Sequence, residues 1–269
     1  MKLNKRLIGA LCLIPLIIFV VIGGWANLFV CVAVTVISMY EFYRGFTNIG
    51  LKPNIFIGYG FYAIWLGIVI RVGFFSGGEG LAWAVLLWLF LAVAGTLLYG
   101  VFSVDNDVFE GPLGLLGTLY IGFLMSHFVL IERSGDTSIL RYLVLIASSG
   151  SDICAYYAGL MFGKTPLHTK VSPKKTLEGC LGGMIGSVVL SLLFGLLFAR
   201  QYLLHCAVIG LIGSVFSELG DLVASSFKRK MGIKDYGDLI PGHGGMLDRF
   251  DSWAFSAPVI YYYIILFIR

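Results

Sequence analysis

The polar stretch from Ser225 to Asp251 carries the residue types of a site for phosphate and a metal ion. Glu218 and Asp221 lie three residues apart just before it, and Asp248 and Asp251 repeat that spacing at its end. Residues three apart share one face of a helix. Such carboxylates suit Mg²⁺, which takes one or two of them and leaves positions for water and substrate phosphates. A capping role at a helix start is the structural alternative for Asp251.

The same stretch contains a glycine-rich turn, residues 241–245, that is flanked by cations. Glycines allow positive φ angles and a close approach of the backbone to phosphate. We expect the flanking cations to strengthen phosphate binding at this turn. The residues predicted for this role are Lys228, Arg229, Lys234, Gly242, His243, Gly244, Gly245 and Arg249.

A second polar loop, residues 163–179, offers more cations and hydroxyl groups. Four of its residues lie close to a predicted helix start, where backbone N–H groups can hold an anion. These candidates for substrate binding are Ser172, Lys174, Lys175 and Thr176. Basic residues in such a loop also follow from membrane topology and from attraction to anionic lipids, and this alternative stays open for Lys164 and Lys170.

The elements that must position these residues are apolar runs. The chain is 58% hydrophobic and only 13% charged, and its apolar residues form runs of about 20, long enough to cross a bilayer. Backbone groups cannot stay unpaired in lipid, so each run should be a helix. We therefore predict an all-α, polytopic integral membrane protein with about nine transmembrane helices. The runs lie near residues 7–23, 26–43, 54–75, 81–103, 112–132, 139–162, 179–199, 202–225 and 252–268.

The positions of the basic residues predict the orientation. With the N-terminus in the cytoplasm, 14 of the 19 Lys and Arg residues lie inside, as the positive-inside rule requires. The five outside are Arg71, Arg133, Arg141, Arg200 and Arg269. This orientation places both polar loops, and so the active site, on the cytoplasmic face of the cell's inner (plasma) membrane.

The two halves of the chain differ in polar content. Residues 1–135 are predicted to form five helices that serve as a scaffold and give access to lipid. Residues 136–269 are predicted to carry the catalytic helices, with cytoplasmic loops at 163–179 and 226–251. Asp152 falls near the middle of the sixth run, where a charge costs about 2.5–3.5 kcal/mol. It should therefore face protein, water or a cation.

The stretch from Ser225 to Asp251 resembles the signature of the phosphatidate cytidylyltransferase (CDP-diacylglycerol synthase) family. It reads Ser-x-hydrophobic-Lys-Arg, then Lys-Asp, Gly, Pro-Gly-His-Gly-Gly and a closing Asp-Arg-hydrophobic-Asp. Two further blocks agree with the family. The first is Ser151-Asp152 followed by Ala155-Tyr156, Gly159 and Phe162-Gly163-Lys164-Thr165, and the second is Ser172 to Thr176 with Glu178-Gly179.

This resemblance implies the reaction of CTP with phosphatidate to give CDP-diacylglycerol and pyrophosphate, a step of phospholipid biosynthesis. It implies Mg²⁺ as cofactor, with room for a second cation. Catalysis should consist of holding the two phosphates in line and screening their charge. The expected catalytic residues are Asp152, Asp221, Lys228, Arg229, Asp248 and Asp251, and the expected metal ligands are Asp152, Glu218, Asp221, Asp248 and Asp251.

Three alternatives remain at this stage. A related lipid nucleotidyl- or phosphoryltransferase, of the CDP-archaeol synthase or polyprenol kinase type, would use similar helices and acids. A transporter is a second reading, because acids within a membrane are typical of transporters. A scaffold with a polybasic loop is the third. Membrane lipids are expected partners and nucleic acid is not. The spacing of Gly182 and Gly186 resembles small-xxx-small contacts between helices, and glycine-rich helix faces suggest a homodimer.

Overall fold

A computed structural model describes residues 15, 18–75, 80–103 and 107–269. Within this part of the chain, eight helices are long and apolar enough to cross a membrane. They are α1 (Gly24–Thr47), α2 (Ile55–Phe75), α3 (Leu81–Phe102), α4 (Glu110–Glu132), α5 (Gly135–Phe162), α6 (Leu177–Phe198), α7 (Arg200–Lys230) and α8 (Leu247–Phe267).

These helices match the second to ninth predicted runs, and the prediction of an all-α polytopic membrane protein is confirmed. The first run, residues 7–23, lies mostly outside the described residues. A ninth transmembrane helix and a cytoplasmic N-terminus therefore stay predictions.

Several of the helices change their winding along their length. α2 ends in a π-helical turn, Arg71–Phe75, and α4 contains another at Thr118–Phe123. α5 begins as a 3₁₀-helix and includes a π-helical turn at Ile146–Gly150. Wide turns of this kind often occur at functional sites, and this one immediately precedes Ser151-Asp152.

A short hairpin joins α5 to α6. Strand β1 (Pro166–His168) pairs in antiparallel fashion with β2 (Ser172–Thr176). Thr176 then caps α6, because its Oγ1 accepts a hydrogen bond of 3.1 Å from the Gly179 N–H. Such a cap satisfies one of the N–H groups that a helix start leaves without a partner.

The chain divides into two compact units. The first contains Met1–Ser134 and Lys230–Arg249. Its interior holds an aromatic cluster in which the ring centroids of Trp65 and Trp88 lie 5.0 Å apart and Phe123 stacks on Trp88. The Trp65 indole N–H donates to Ser126 Oγ at 2.8 Å. This bond satisfies the polar atom of a side chain that is otherwise fully buried.

The second unit contains Gly135–Arg229 and Phe250–Arg269. Small residues bring α5 and α6 together: a Cβ at Gly182 would meet Ala158, and one at Gly186 would meet Cys154. The predicted small-residue contact of Gly182 and Gly186 is thereby confirmed as a contact between helices. The other face of α6 exposes large apolar side chains, as expected for a helix that borders lipid.

Candidate functional site

A cavity of about 530 Å³ lies in the first unit and is formed by the polar segment before α8. This volume falls in the range of small-molecule sites, and we call the cavity the glycine-loop pocket. Its lining residues are Lys234, Asp235, Gly237, Asp238, Ile240, Gly242, His243, Gly244 and Arg249.

The glycines of the pocket form a tight turn. The His243 N–H donates to the Ile240 carbonyl at 2.9 Å, and the Ile240 N–H donates to the Gly244 carbonyl at 2.9 Å. Gly242 has a φ of +76° and follows Pro241, which is the pattern of a type II turn. Gly244 has a φ of +86°. The expectation of positive φ is thus confirmed for these two glycines.

Asp248 holds this turn from the first turn of α8. Its Oδ2 accepts hydrogen bonds from the Tyr236 N–H at 2.8 Å and from the Gly245 N–H at 2.9 Å. One carboxylate oxygen therefore joins both ends of the loop that surrounds the pocket. The structure gives this predicted metal ligand a clear architectural task.

Glu41, on α1, supports the same loop from the N-terminal half of the chain. It is only 5% exposed, and its two carboxylate oxygens accept from the N–H groups of Met246 and Leu247 at 2.9 and 2.8 Å. One turn further along α1, Arg44 donates to the Tyr236 carbonyl at 3.4 Å. Glu41 was not among the predicted site residues, although a carboxylate within an apolar run was a signal, as it was for Asp152.

The charges around the pocket are mixed. Lys234 and Arg249 are exposed at its rim, and His243 is half-buried. Asp235 and Asp238 also line it, so formal positive and negative charges balance. These two acids were not among the predicted site residues, although they repeat the three-residue spacing of the two predicted acid pairs. An anion bound here would depend on the placement of cations and backbone N–H groups more than on net charge.

The second unit contains a compact charge cluster, which we call the Lys175 cluster. Lys175 Nζ lies 2.5 Å from Asp221 Oδ2 and 2.6 Å from Glu218 Oε2. The Glu218 side chain is only 6% exposed. Burial alone would lower the pKa of Lys175, but the carboxylates of Asp221 and Glu218 outweigh burial and raise this pKa above its ordinary value. The ammonium group therefore stays charged.

One face of α7 extends this cluster. Ser225 Oγ donates to Asp221 Oδ1 at 3.3 Å, and the Lys228 side chain is buried one turn further on. Arg229 is exposed and its Nε donates to the Val171 carbonyl at 3.3 Å. α7 is thereby linked to the hairpin that carries Lys175.

The hairpin is held by a carboxylate at its base. Glu178 accepts from the N–H groups of Lys164 and Thr165 at 3.1 Å. Ser172 and Thr176 are half-buried and Lys174 is exposed. The Thr176 hydroxyl serves as the cap of α6. A role of these three side chains in substrate binding stays a prediction.

The remaining predicted acids are placed differently. Asp251 is 5% exposed, and its Oδ1 accepts from the Ser252 N–H at 2.7 Å. Asp152 is exposed in the first turn of the helical segment Ser151–Phe162. Among the described residues, no group of three or more His, Cys, Asp or Glu side chains is arranged to hold a metal ion.

The Lys175 cluster nevertheless fits Mg²⁺. Glu218 and Asp221 already direct an oxygen each at one positive charge, the Lys175 ammonium. Mg²⁺ is usually held by one or two carboxylates together with water and substrate phosphates. A pair of acids that converges on one cation is therefore a suitable protein contribution, provided that Lys175 moves aside.

Comparison with known proteins agrees with this chemistry. The model of the cytidylyltransferase family matches residues 4–267. The chain belongs to this family. A phosphatidate cytidylyltransferase of Bacillus subtilis is 32% identical over 98% of both chains. A phosphatidate cytidylyltransferase of Synechocystis is 36% identical over 56% of this chain and 61% of its own length. The Escherichia coli protein YnbB is 35% identical over 66% of this chain and 63% of its own length.

The family assignment confirms the resemblance that was inferred from residues 148–251 and extends it to the N-terminal helices. Together with the eight apolar helices, it identifies the chain as an integral membrane protein.

Proposed function

We propose that this chain is a phosphatidate cytidylyltransferase that makes CDP-diacylglycerol and pyrophosphate from CTP and phosphatidate. The observation that carries the proposal is the match, over 98% of both chains, to the Bacillus subtilis protein of that name. A nucleotide-sized cavity beside a glycine turn and a pair of acids that converge on one cation support it.

The reaction needs little covalent help from the protein. A lipid phosphomonoester has a second pKa near 6, so at neutral pH it is largely a dianion. One of its oxygens bonds to the α-phosphorus of CTP, the bond from that phosphorus to the β-bridging oxygen breaks, and pyrophosphate leaves with the electron pair. The obstacle is the approach of two anions. In-line positioning and charge screening are therefore the tasks of the protein.

The glycine-loop pocket is proposed to hold the triphosphate. Lys234 and Arg249 would pair with phosphate oxygens from the rim. The turn at residues 242–245 would present backbone to the phosphates. His243 would contribute a hydrogen bond and no proton transfer.

The residues of the second unit are proposed to screen the reacting phosphates. Lys228 and Arg229 would neutralise developing charge, and Ser172, Lys174, Lys175 and Thr176 would hold the lipid phosphate or part of the nucleotide. Glu218 and Asp221 would hold Mg²⁺, and Asp152, Asp248 and Asp251 remain proposed ligands of Mg²⁺ or of a second cation. When bound, Mg²⁺ supplies positive charge to phosphate oxygens.

We further propose that the protein works at the cytoplasmic face of the plasma membrane. The excess of Lys and Arg in the loops assigned to that side supports this orientation. The phosphatidate acyl chains would stay in the bilayer while the headgroup reaches the polar loops. Homodimer formation through glycine-rich helix faces is part of the same proposal.

The test is an assay of the purified protein in mixed micelles with labelled CTP, phosphatidate and Mg²⁺. We expect labelled CDP-diacylglycerol and an equal amount of pyrophosphate. Diacylglycerol, which lacks the attacking phosphate, is the matched control and should give neither product. Phosphate transfer to a polyprenol would overturn the proposal, and so would the absence of product from phosphatidate with every nucleotide supplied. Loss of activity in Lys228→Arg or Arg249→Lys would distinguish a catalytic site from a basic scaffold.

A further inference from the structure

Glu41 lies far from the signature in sequence, 205 residues before Met246, yet it binds the signature loop directly. Its two oxygens each take one backbone N–H at the junction between the loop and α8. Hydrogen bonds to a carboxylate are stronger than hydrogen bonds to a neutral acceptor. A buried carboxylate with two such bonds therefore fixes the position of the residues at the start of α8.

Two glycines of the loop lie against the Glu41 carboxylate. A Cβ at Gly245 would lie 2.5 Å from Glu41 Oε2, and a Cβ at Gly237 would lie 2.6 Å from Glu41 Oε1. Neither glycine is among those with a positive φ. At both positions a side chain would have to displace the Glu41 carboxylate, whereas the backbone conformation itself would admit one.

Glu41 and Asp248 bind adjacent backbone N–H groups. Asp248 binds the N–H of Gly245, and Glu41 binds those of Met246 and Leu247. Three successive backbone N–H groups before and at the start of α8 are thus held by two carboxylates. On the wall of the pocket, a Cβ at Gly237 would meet Glu41 and a Cβ at Gly244 would meet Asp248.

From this arrangement we infer that Glu41 is a positioning residue for nucleotide binding: it holds the glycine-loop pocket in the shape that binds the triphosphate. The inference rests on the proposed function for the identity of the nucleotide. It assigns to the N-terminal helices a direct part in the site, beyond the scaffold role that the sequence predicted for them.

The test compares Glu41→Gln with Glu132→Gln. Glu132 is a matched control, because it too is a carboxylate of the first unit that accepts a backbone N–H, from Gly24, and a side-chain amide, from Asn27. In Glu41→Gln one of the two acceptor oxygens becomes an NH₂ group that faces an N–H donor. We expect the KM for CTP, and the Kd of a fluorescent CTP analogue, to rise at least about tenfold. The KM for phosphatidate and the melting temperature should change no more than in the control.

Equal effects of the two substitutions, or a change confined to the KM for phosphatidate, would overturn the inference. If Glu41→Gln does not fold, Gly245→Ala provides the test, because it displaces the carboxylate without removing it. Folded Gly245→Ala with unchanged affinity for CTP would likewise overturn the inference. A wild-type protein that makes no CDP-diacylglycerol would instead refute the proposed function, and binding of the CTP analogue would still report on Glu41.

Discussion

Replacement of Lys175 by Met tests whether a divalent cation can take the place of the ammonium group. Lys175 touches both Glu218 and Asp221, and its own side chain is 24% exposed. Removing one partner of a fully buried pair costs about 3–5 kcal/mol, whereas exposed pairs contribute about 0–1 kcal/mol. For this partly exposed cluster we expect Lys175→Met to destabilise the protein by about 2 kcal/mol in EDTA. The melting temperature should fall by about 4–8 °C.

Magnesium should restore much of this loss. A cation that binds only the folded protein adds about 2 kcal/mol when its free concentration is about 30 times its Kd. In Lys175→Met the two carboxylates lose their ammonium partner and are open to Mg²⁺, while in the wild type the ammonium competes for them. We therefore expect a larger increase in melting temperature on addition of MgCl₂ in the variant than in the wild type.

The assay is thermal unfolding in detergent followed by tryptophan fluorescence, with NaCl at equal ionic strength as a salt control. Lys174→Met is the matched variant, because Lys174 is the exposed neighbour on the same strand. Wild-type stability of Lys175→Met in EDTA would refute the estimate for the cluster. An equal response of both proteins to Mg²⁺ would refute the idea that the metal occupies the ammonium position.

Three further predictions concern other parts of the site. Asp248→Asn should raise the KM for CTP about five- to tenfold, because both loop hydrogen bonds lose their charged acceptor. Asp221→Asn should chiefly lower kcat. Steady-state kinetics with each substrate varied in turn would separate the two effects, and the same kinetic profile for both variants would contradict these predictions. Gly242→Ala should lower the free energy of unfolding by about 1–2 kcal/mol because Gly242 has a positive φ. Gly60→Ala, in open space within α2, should leave it unchanged, and denaturant unfolding would measure both. The raised pKa of Lys175 means that its charged form stabilises the fold fully below its ordinary value of 10.5 and less as pH rises through the higher folded value. The gap in melting temperature between wild type and Lys175→Met should therefore stay constant from pH 7 to about 10 and narrow above that; a gap that closes below pH 9 would contradict this reasoning.

The positions of the helices could be predicted from the sequence because lipid imposes one rule on every span. α6 was predicted near 179–199 and runs from Leu177 to Phe198, and α3 was predicted near 81–103 and runs from Leu81 to Phe102. The hairpin before α6 was not predicted. Its strands have three and five residues and include two prolines, so they show none of the alternation that indicates a strand.

The chemistry of the site was visible as residue types and not as pairings. The positive φ of Gly242 and Gly244 followed from the turn residues themselves, which is a local property. The contact of Lys175 with Glu218 spans 43 residues and that of Glu41 with Met246 spans 205. The spacing rules for residues of one helix do not apply to such large separations in sequence. The predicted roles of Lys175 as a substrate ligand and of Glu218 as a metal ligand could not indicate that the two side chains meet.

The acids described above have two kinds of hydrogen-bond partner, and this difference affects which of them can bind a metal ion. Glu41, Asp248 and Glu178 each accept two backbone N–H groups and thereby fix a loop. Glu218 and Asp221 instead meet a side-chain cation. A carboxylate that leaves its N–H donors for a metal ion abandons polar groups whose burial is costly, whereas one that exchanges an ammonium for Mg²⁺ keeps its charge paired. We therefore expect metal exchange to be least costly at the Lys175 cluster.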